Sequence, residues 1–227
     1  VENESQNTNA FVGGFRYRPV SAVSLFFDVD HGTRNNAFVR VNPLDYTRYR
    51  VRANVQAKST LSFTATFTSN DTKNPTPYVE NSADFRTVTG SVNWEPHQRA
   101  WLSFGYNYDY LFSTAGIAFF VNNVLNQGRS VYYARQNVFF ADGRVGLTKR
   151  LDLLFVYRYL RDRGAPAQPA VTPGPNNFIT QLPLHRHNPE FRLAYRFNNH
   201  FTGNVSYRHY SYNENLETPV IIHQPAL

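Results

Sequence analysis

The sequence predicts an all-β protein, an antiparallel up-and-down β-barrel that crosses a membrane. Three observations lead to this fold class: segments that alternate apolar and polar residues, tight turns that alternate with long connections, and aromatic residues near the strand ends. The alternation is clearest over residues 61–71, in LSFTATFTSND. Because successive side chains of a strand point to opposite faces, its apolar residues line one face and its small hydroxyl residues the other.

Ten alternating segments pair into five predicted hairpins, with tight turns near residues 19, 59, 96, 150 and 199. The connections between hairpins are long and rich in Asn, Pro and Gly, at 34–45, 70–84, 113–136, 163–189 and 213–227. All tight turns then lie at one end of the sheet and all long loops at the other, as in outer-membrane barrels. Since all-β barrels often run to about 200–250 residues as one domain, residues 1–227 are predicted to be a single outer-membrane barrel segment.

Strand length decides which solvent the apolar face is expected to meet. Strands of about 9–11 residues match a tilted crossing of a bilayer, whereas strands of soluble proteins average about 5–6. A soluble barrel with the apolar face inside remains the alternative, but ten strands of inward Phe, Tyr and Leu would need a very wide apolar cavity. The bilayer is therefore the predicted partner of this face. Two aromatic girdles are drawn from Trp94, Trp101, Tyr108, Tyr110, Tyr159, Phe197 and Phe201.

The opposite face of the strands is predicted to line a lumen that is mostly cationic. Its basic members are Arg16, Arg18, Arg48, Arg50, Arg52, Arg144, Arg158, Arg192, Arg196 and Arg208, and its acidic members are Asp28, Asp30, Asp109 and Asp142. A positive excess in a lumen attracts anions or an acidic protein surface. The alternative is that Arg and Asp pair across strands and fill a narrow lumen, for example Arg16 and Arg18 with Asp28 and Asp30.

No catalytic or cofactor motif is found, and we predict a non-enzyme. Asp28, Asp30 and His31 lie in DVDHG, but neighbours in a strand point to opposite faces, and His185 and His187 are only two metal ligands. GxSxG, HExxH and phosphate-loop motifs are missing. With no Cys there is no attachment site for a c-type haem, so no cofactor is expected in this chain.

Two further expectations concern partners and loops. The net charge of +7 is carried by basic residues spread singly along the chain, which predicts no nucleic-acid binding. The apolar patch AGIAFFVNNVL, residues 115–125, is predicted to be a loop tucked over the lumen. The final residues, NLETPVIIHQPAL, are not a membrane strand ending in an aromatic residue, so the ten strands are expected to belong to a larger barrel.

Four stretches carry a resemblance to a known family: GTRNNAFVRVNPLDYTRYRVRANVQ, LSFTATFTSNDTKN, SVNWEPHQRAWLSFGYNYDY and YSYNENLE. With them the chain resembles the C-terminal part of the outer-membrane barrels of porin-cytochrome conduits, which accompany multihaem c-type cytochromes. The resemblance implies a sheath in a Gram-negative outer membrane, with haem only in a cytochrome partner, whose carboxylates and haem propionates would meet the lumen arginines. A general or anion-selective diffusion porin is the alternative function.

Overall fold

The computed structural model describes residues 7–35, 42–77, 80–166 and 177–214. The strands are β1 (Thr8–Val20), β2 (Val23–Arg34), β3 (Asp45–Lys58), β4 (Leu61–Asn74), β5 (Asn81–His97), β6 (Ala100–Val121), β7 (Val124–Gly146), β8 (Leu151–Asp162), β9 (Asn177–Gln181), β10 (Leu184–Arg196), β11 (Thr202–Arg208) and β12 (Ser211–Glu214). Their alternating pattern, rich in β-branched and aromatic residues, is typical of strands.

The strands form one sheet in which neighbours along the chain are neighbours in space. The order is β1-β2-β3-β4-β5-β6-β7-β8-β10-β11, and every pair on this path is antiparallel. β12 continues along β10 beyond β11, so β11 and β12 behave as one interrupted strand. The all-β, up-and-down fold predicted from the sequence is confirmed.

The short β9 is an addition to the ten predicted strands. It lies within the connection between β8 and β10 and pairs in parallel with residues 129–133 of β7. Within the described residues, the sheet does not close on itself, because β1 and β11 have a strand neighbour on one side only. This open sheet is consistent with part of a barrel.

The five tight turns all lie at one end of the sheet, at residues 21–22, 59–60, 98–99, 147–150 and 197–201. Two of the prolines used to place them, Pro19 and Pro96, lie within strands. Each lies where the pairing register shifts, between Tyr17 and Val20 and between Trp94 and His97. A proline cannot donate to a ladder hydrogen bond, so a bulge is one of the few places where a strand tolerates it.

The prediction of long loops at the other end is wrong for residues 113–136. These residues belong to the β6–β7 hairpin, which is paired without interruption from Ala100↔Val145 to Val121↔Val124. The patch 115–125 is therefore the tip of a projecting hairpin and not a loop tucked over the lumen. Strands also reach into the other predicted loops, at 70–74, 81–84 and 184–189, while residues 215–227 lie outside the described part. In these segments the strands stay paired although their sequences lack the strict apolar alternation on which the prediction depended.

The hairpin tip turns on Asn122 and Asn123, whose φ angles are 50° and 63°. Two successive residues with positive φ make the tight turn that matches the twist of a hairpin, and Asn and Gly tolerate it best. We expect Asn123→Val to cost about 1–2 kcal/mol of local stability, because a β-branched residue is strained in this region. Faster hydrogen exchange of the amides around Phe120 and Leu125 would measure it. Asn123→Gly is the control and should leave exchange unchanged; equal exchange in both variants would contradict the strain argument.

The sheet has one layer and almost no core. Among the described residues, the buried apolar side chains are Val131, Tyr133 and Ala134, near β9. Many large apolar side chains are exposed instead, for example Phe104 at 45% and Val205 at 76%. No helix in the described part of the chain is long and apolar enough to cross a membrane. The described residues form no second layer that could cover these apolar side chains. In a sheet of this size, another surface must therefore cover them.

Candidate functional site

The pairing register sorts the side chains into two faces. One cross-strand row runs Phe27, Val51, Phe67, Val88 and Tyr108 over β2 to β6. The adjacent row runs Asp28, Arg50, Thr68, Thr87 and Asp109 over the same strands. Directly paired residues share a face and sequence neighbours do not, so the first row defines an apolar face and the second a polar face.

The apolar face carries a band without charged residues, which we call the apolar band. Its members are Phe11, Gly13, Phe15 and Tyr17 of β1; Val23, Leu25, Phe27 and Val29 of β2; Tyr49, Val51, Ala53 and Val55 of β3; Leu61, Phe63, Ala65 and Phe67 of β4; Val88, Gly90, Val92 and Trp94 of β5; Leu102, Phe104, Tyr106 and Tyr108 of β6; Phe139, Ala141, Gly143 and Val145 of β7; Leu151, Leu153, Phe155 and Tyr157 of β8; Phe191, Leu193 and Tyr195 of β10; and Val205 and Tyr207 of β11.

Charged residues return to the apolar face at the long-connection end of the band. They are Asp45, Asp71, Lys73, Asp84, Arg86, Arg129, Arg135 and Arg161. The band is about seven residues long on most strands, or about 20–23 Å along the strand before tilt shortens it. Apolar bands of outer-membrane barrels are about 25 Å tall, so the dimension is of the right order for a bilayer.

Most of the predicted girdle residues lie on the apolar face, and one does not. Trp94, Tyr108, Tyr110 and Tyr159 share that face by register. The ring of Phe197 packs against Tyr195 and Phe201, with centroids 4.9 and 5.1 Å apart.

Trp101 requires a correction. It pairs directly with Arg144, on the polar face. The girdle assignment used distance from the turn alone, whereas residue parity along β6 decides the face, and Trp101 has the parity of Ser103 and Asn107.

The three arginines of β3 form an unpaired cationic ladder on the polar face. Arg48, Arg50 and Arg52 are spaced two residues apart in β3, so their side chains lie on the same face. Among the described residues, no ion pair involves any of them. Their neighbours on β4 are the uncharged Asn70, Thr68 and Thr66.

The acids beside the ladder do not neutralise it through direct contacts. Asp30 and Asp28 stand opposite Arg48 and Arg50 across β2, without an ion pair. Asp30 also interacts with Tyr46, beyond the end of the apolar band, and this interaction raises the pKa of the Tyr46 hydroxyl. The ladder therefore keeps its positive charge available to a ligand.

The alternative pairing of Arg16 and Arg18 with Asp28 and Asp30 of β2 is not formed. Arg16 places its guanidinium 4.8 Å from the centroid of the Phe26 ring. Arg18 donates from Nε to Ser24 Oγ at 3.1 Å. The register explains this, because Asp28 lies opposite Gly14 of β1 and Asp30 lies opposite Val12. Both acids are therefore two or more residues away from the arginines along the strand.

On β7 to β11 the polar face is largely neutralised by cross-strand pairs. Arg158 donates to Asp142 from both terminal guanidinium nitrogens, Nη1 at 2.5 Å and Nη2 at 3.0 Å. Arg144 Nη2 lies 2.6 Å from Asp152 Oδ2. The two hypotheses for the lumen thus apply to different parts of the sheet: charge pairing on β7 to β11 and free positive charge on β3.

Glu190 is a polar-face residue that the sequence argument missed. It accepts hydrogen bonds from Arg192 Nη2 at 3.0 Å and from Arg208 Nη2 at 2.7 Å, the latter across to β11. Its even position in β10, shared with Arg192 and Arg196, was a sufficient signal for its face. It pairs with two of the arginines assigned to the cationic lumen, and its single negative charge offsets one of their two positive charges.

We expect Glu190→Gln to loosen β11, because the variant loses the charge that binds Arg208 across the two strands. Hydrogen exchange of the β11 amides would measure the loss. Glu95→Gln is the matched control, since Glu95 is in no ion pair among the described residues. If both variants exchange alike, the Glu190 pairs do not hold this strand.

The groups weighed as catalytic residues are not brought together. Asp28 and Asp30 lie on the polar face, while His31 lies on the other, where its Nδ1 is 2.9 Å from Thr47 Oγ1. Among the described residues, no cluster of three or more His, Cys, Asp or Glu side chains has the arrangement of a metal site.

His185 and His187 both lie on the apolar face just beyond the band. Tyr157 Oη and His187 Nδ1 are 2.9 Å apart, and the rings of the two histidines are 6.3 Å apart. They therefore belong to the aromatic end of the band rather than to a catalytic group.

Comparisons with known proteins leave the assignment to the chain's own geometry. No protein-family model matches the chain, and neither the curated proteins nor the solved structures contain a match to it.

Proposed function

We propose that this chain forms part of the wall of a bacterial outer-membrane β-barrel that acts as a sheath for a multihaem c-type cytochrome in transmembrane electron transfer. The apolar band faces acyl chains, and the polar face encloses the partner. Haem belongs to the partner and not to this chain. The observation that carries the proposal is one sheet with a charge-free apolar band on one face and an unpaired arginine ladder on the other.

A bilayer is the environment that such a band fits. In hydrocarbon every backbone polar group must be paired within the protein, so strands cross only as closed barrels. The outer edges of β1 and β11 are unpaired among the described residues, and we propose that further strands complete the barrel. Two such sheets packed face to face in water would also cover the band, and this arrangement is what the first experiment below excludes.

The polar face supports an acidic partner rather than a neutral one. Low-dielectric walls focus the field of the charges that line them. The ladder arginines stand beside threonine and asparagine on β4. On that side there is therefore no directly paired charge that would weaken their field. Carboxylates and haem propionates on a cytochrome surface would be attracted to it.

The position of the bilayer is tested with single-cysteine probes, since the chain has no Cys of its own. Ala65→Cys and Thr64→Cys place a fluorophore on the two faces at one height. In vesicles, a lipid-borne quencher should quench the Ala65 probe and aqueous iodide the Thr64 probe. The reverse pattern, or a chain that stays folded in water without detergent, would overturn the proposal.

The cytochrome is tested on the native complex. Purification in mild detergent followed by haem staining of a native gel should reveal a haem protein that migrates with the barrel. A barrel that runs without haem and conducts ions would favour a diffusion porin instead.

An anion-selective porin is the second candidate, because the unpaired ladder would also concentrate small anions in an open lumen. Planar-bilayer recordings would then show anion preference for the isolated barrel.

A further inference from the structure

A cationic and aromatic site lies on the apolar face where the band ends on β8 and β10. Arg161 stands directly opposite His185 of β10 and Asn137 of β7. The next pair toward the band is Tyr159 and His187. We propose that Arg161, His185 and His187 bind a phosphate group of an anionic membrane lipid in the leaflet at the long-connection end. The proposal rests on the membrane location proposed above.

The arginine of this site is free to bind a ligand. Arg161 is exposed, and its guanidinium takes part in no ion pair or side-chain hydrogen bond among the described residues. Its neighbour Arg135 is already committed, since its Nε and Nη2 donate to the carbonyls of Gly164 and Ala165 at 2.7 and 2.6 Å. A guanidinium presents a planar fork of donors that matches phosphate oxygens.

The same end of the band is acidic on the other half of the sheet. There the apolar face carries three acids, Asp45, Asp71 and Asp84, against two bases, Lys73 and Arg86, and Arg86 Nη2 is 2.8 Å from Asp84 Oδ2. Burial raises the pKa of the Asp84 carboxyl, and the Arg86 charge opposes that shift. On β7 to β12, by contrast, no acidic residue lies on the apolar face among the described residues. The two halves therefore present opposite signs of charge to the headgroups.

The rings below the site favour a lipid over free phosphate. The Tyr159 and His187 ring centroids are 4.6 Å apart, and Phe139 lies 6.2 Å from Tyr159. These rings continue directly into the apolar band. A phospholipid can place its phosphate beside Arg161 and its acyl chains along the band, whereas inorganic phosphate gains nothing from the rings. Aromatic residues at headgroup level are typical of membrane interfaces.

The test counts the lipids that stay bound to the full chain folded in detergent micelles. Phosphatidylglycerol and phosphatidylcholine are titrated separately, and bound lipids are counted by native mass spectrometry. Wild type should prefer phosphatidylglycerol, and Arg161→Gln should reduce that preference about fivefold, the effect of one basic residue beside an anionic headgroup. Arg86→Gln is the matched control, at the same end of the band but already paired with an acid, and should change it less.

Four results would overturn the proposal. Equal binding of both lipids by wild type would remove the phosphate site while leaving the membrane location intact. Equal losses in Arg161→Gln and Arg86→Gln would indicate a general surface charge. Displacement of the phosphatidylglycerol by inorganic phosphate would identify a free-anion site. A chain that binds neither lipid and stays folded without detergent would remove the membrane location as well. Should Arg161→Gln fail to fold, His185→Gln replaces it and is expected to lower the preference in the same direction.

Discussion

Replacing Ala65 by arginine is expected to lower the free energy of unfolding of the bilayer-folded protein by about 2–4 kcal/mol, the cost of a cation on the lipid face near the bilayer midplane. Ala65 lies within the apolar band, between Ala53 of β3 and Gly90 of β5. These small neighbours leave room for a long side chain, so the loss reports the transfer of charge into hydrocarbon rather than a steric clash. Denaturant unfolding of the protein refolded into lipid vesicles measures it.

Thr64→Arg is the matched control, one residue away and on the polar face. Thr64 lies between Asn54 and Ser91, and its hydroxyl donates to Asn54 Oδ1 at 3.2 Å. Loss of that bond should cost about 1 kcal/mol or less. A larger loss for Thr64→Arg than for Ala65→Arg would mean that the polar face, and not the apolar one, is shielded from water.

Neutralising the arginine ladder is expected to abolish attraction to an acidic partner while leaving the sheet folded. In the variant Arg48→Gln, Arg50→Gln, Arg52→Gln, each arginine that meets a partner carboxylate should remove about 1.5 kcal/mol or more of binding free energy, at least tenfold in affinity. No ion pair among the described residues is broken by these changes. Titration of the isolated barrel with the copurified cytochrome measures the loss, and for a porin the readout is anion selectivity.

Arg144→Gln is the control for the ladder. Its guanidinium is already held 2.6 Å from Asp152, so its removal should change partner binding much less than removal of the ladder. Binding by the wild type should also weaken as salt is raised, since charges in water are screened over about 8–10 Å. Equal effects of both variants, or binding that ignores salt, would show that the unpaired arginines do not carry recognition.

Alternation by itself determined that the chain is all-β and which residues share a face. A strand side chain can point to only one of two faces. The alternation in LSFTATF and YTRYRVR therefore shows which residues share a face, even when the neighbouring strands are not known. The same rule would have placed Glu190 with Arg192 and Trp101 with Ser103 had it been applied to every position. Residue type and distance from a turn, by contrast, do not determine the face of a strand residue.

Only the tertiary structure decided the register, and with it which charges are neutralised. Asp142 meets Arg158, while Asp28 stands opposite Arg50 without an ion pair and Arg16 packs on Phe26. Shifting a strand by two residues keeps every face and changes every partner, so no pattern within one strand can reveal these pairs. Beyond the band, backbone pairing continues along β6 and β7 to the turn at Asn122 and Asn123, because a hairpin outside an apolar layer needs hydrogen bonds but no strict alternation.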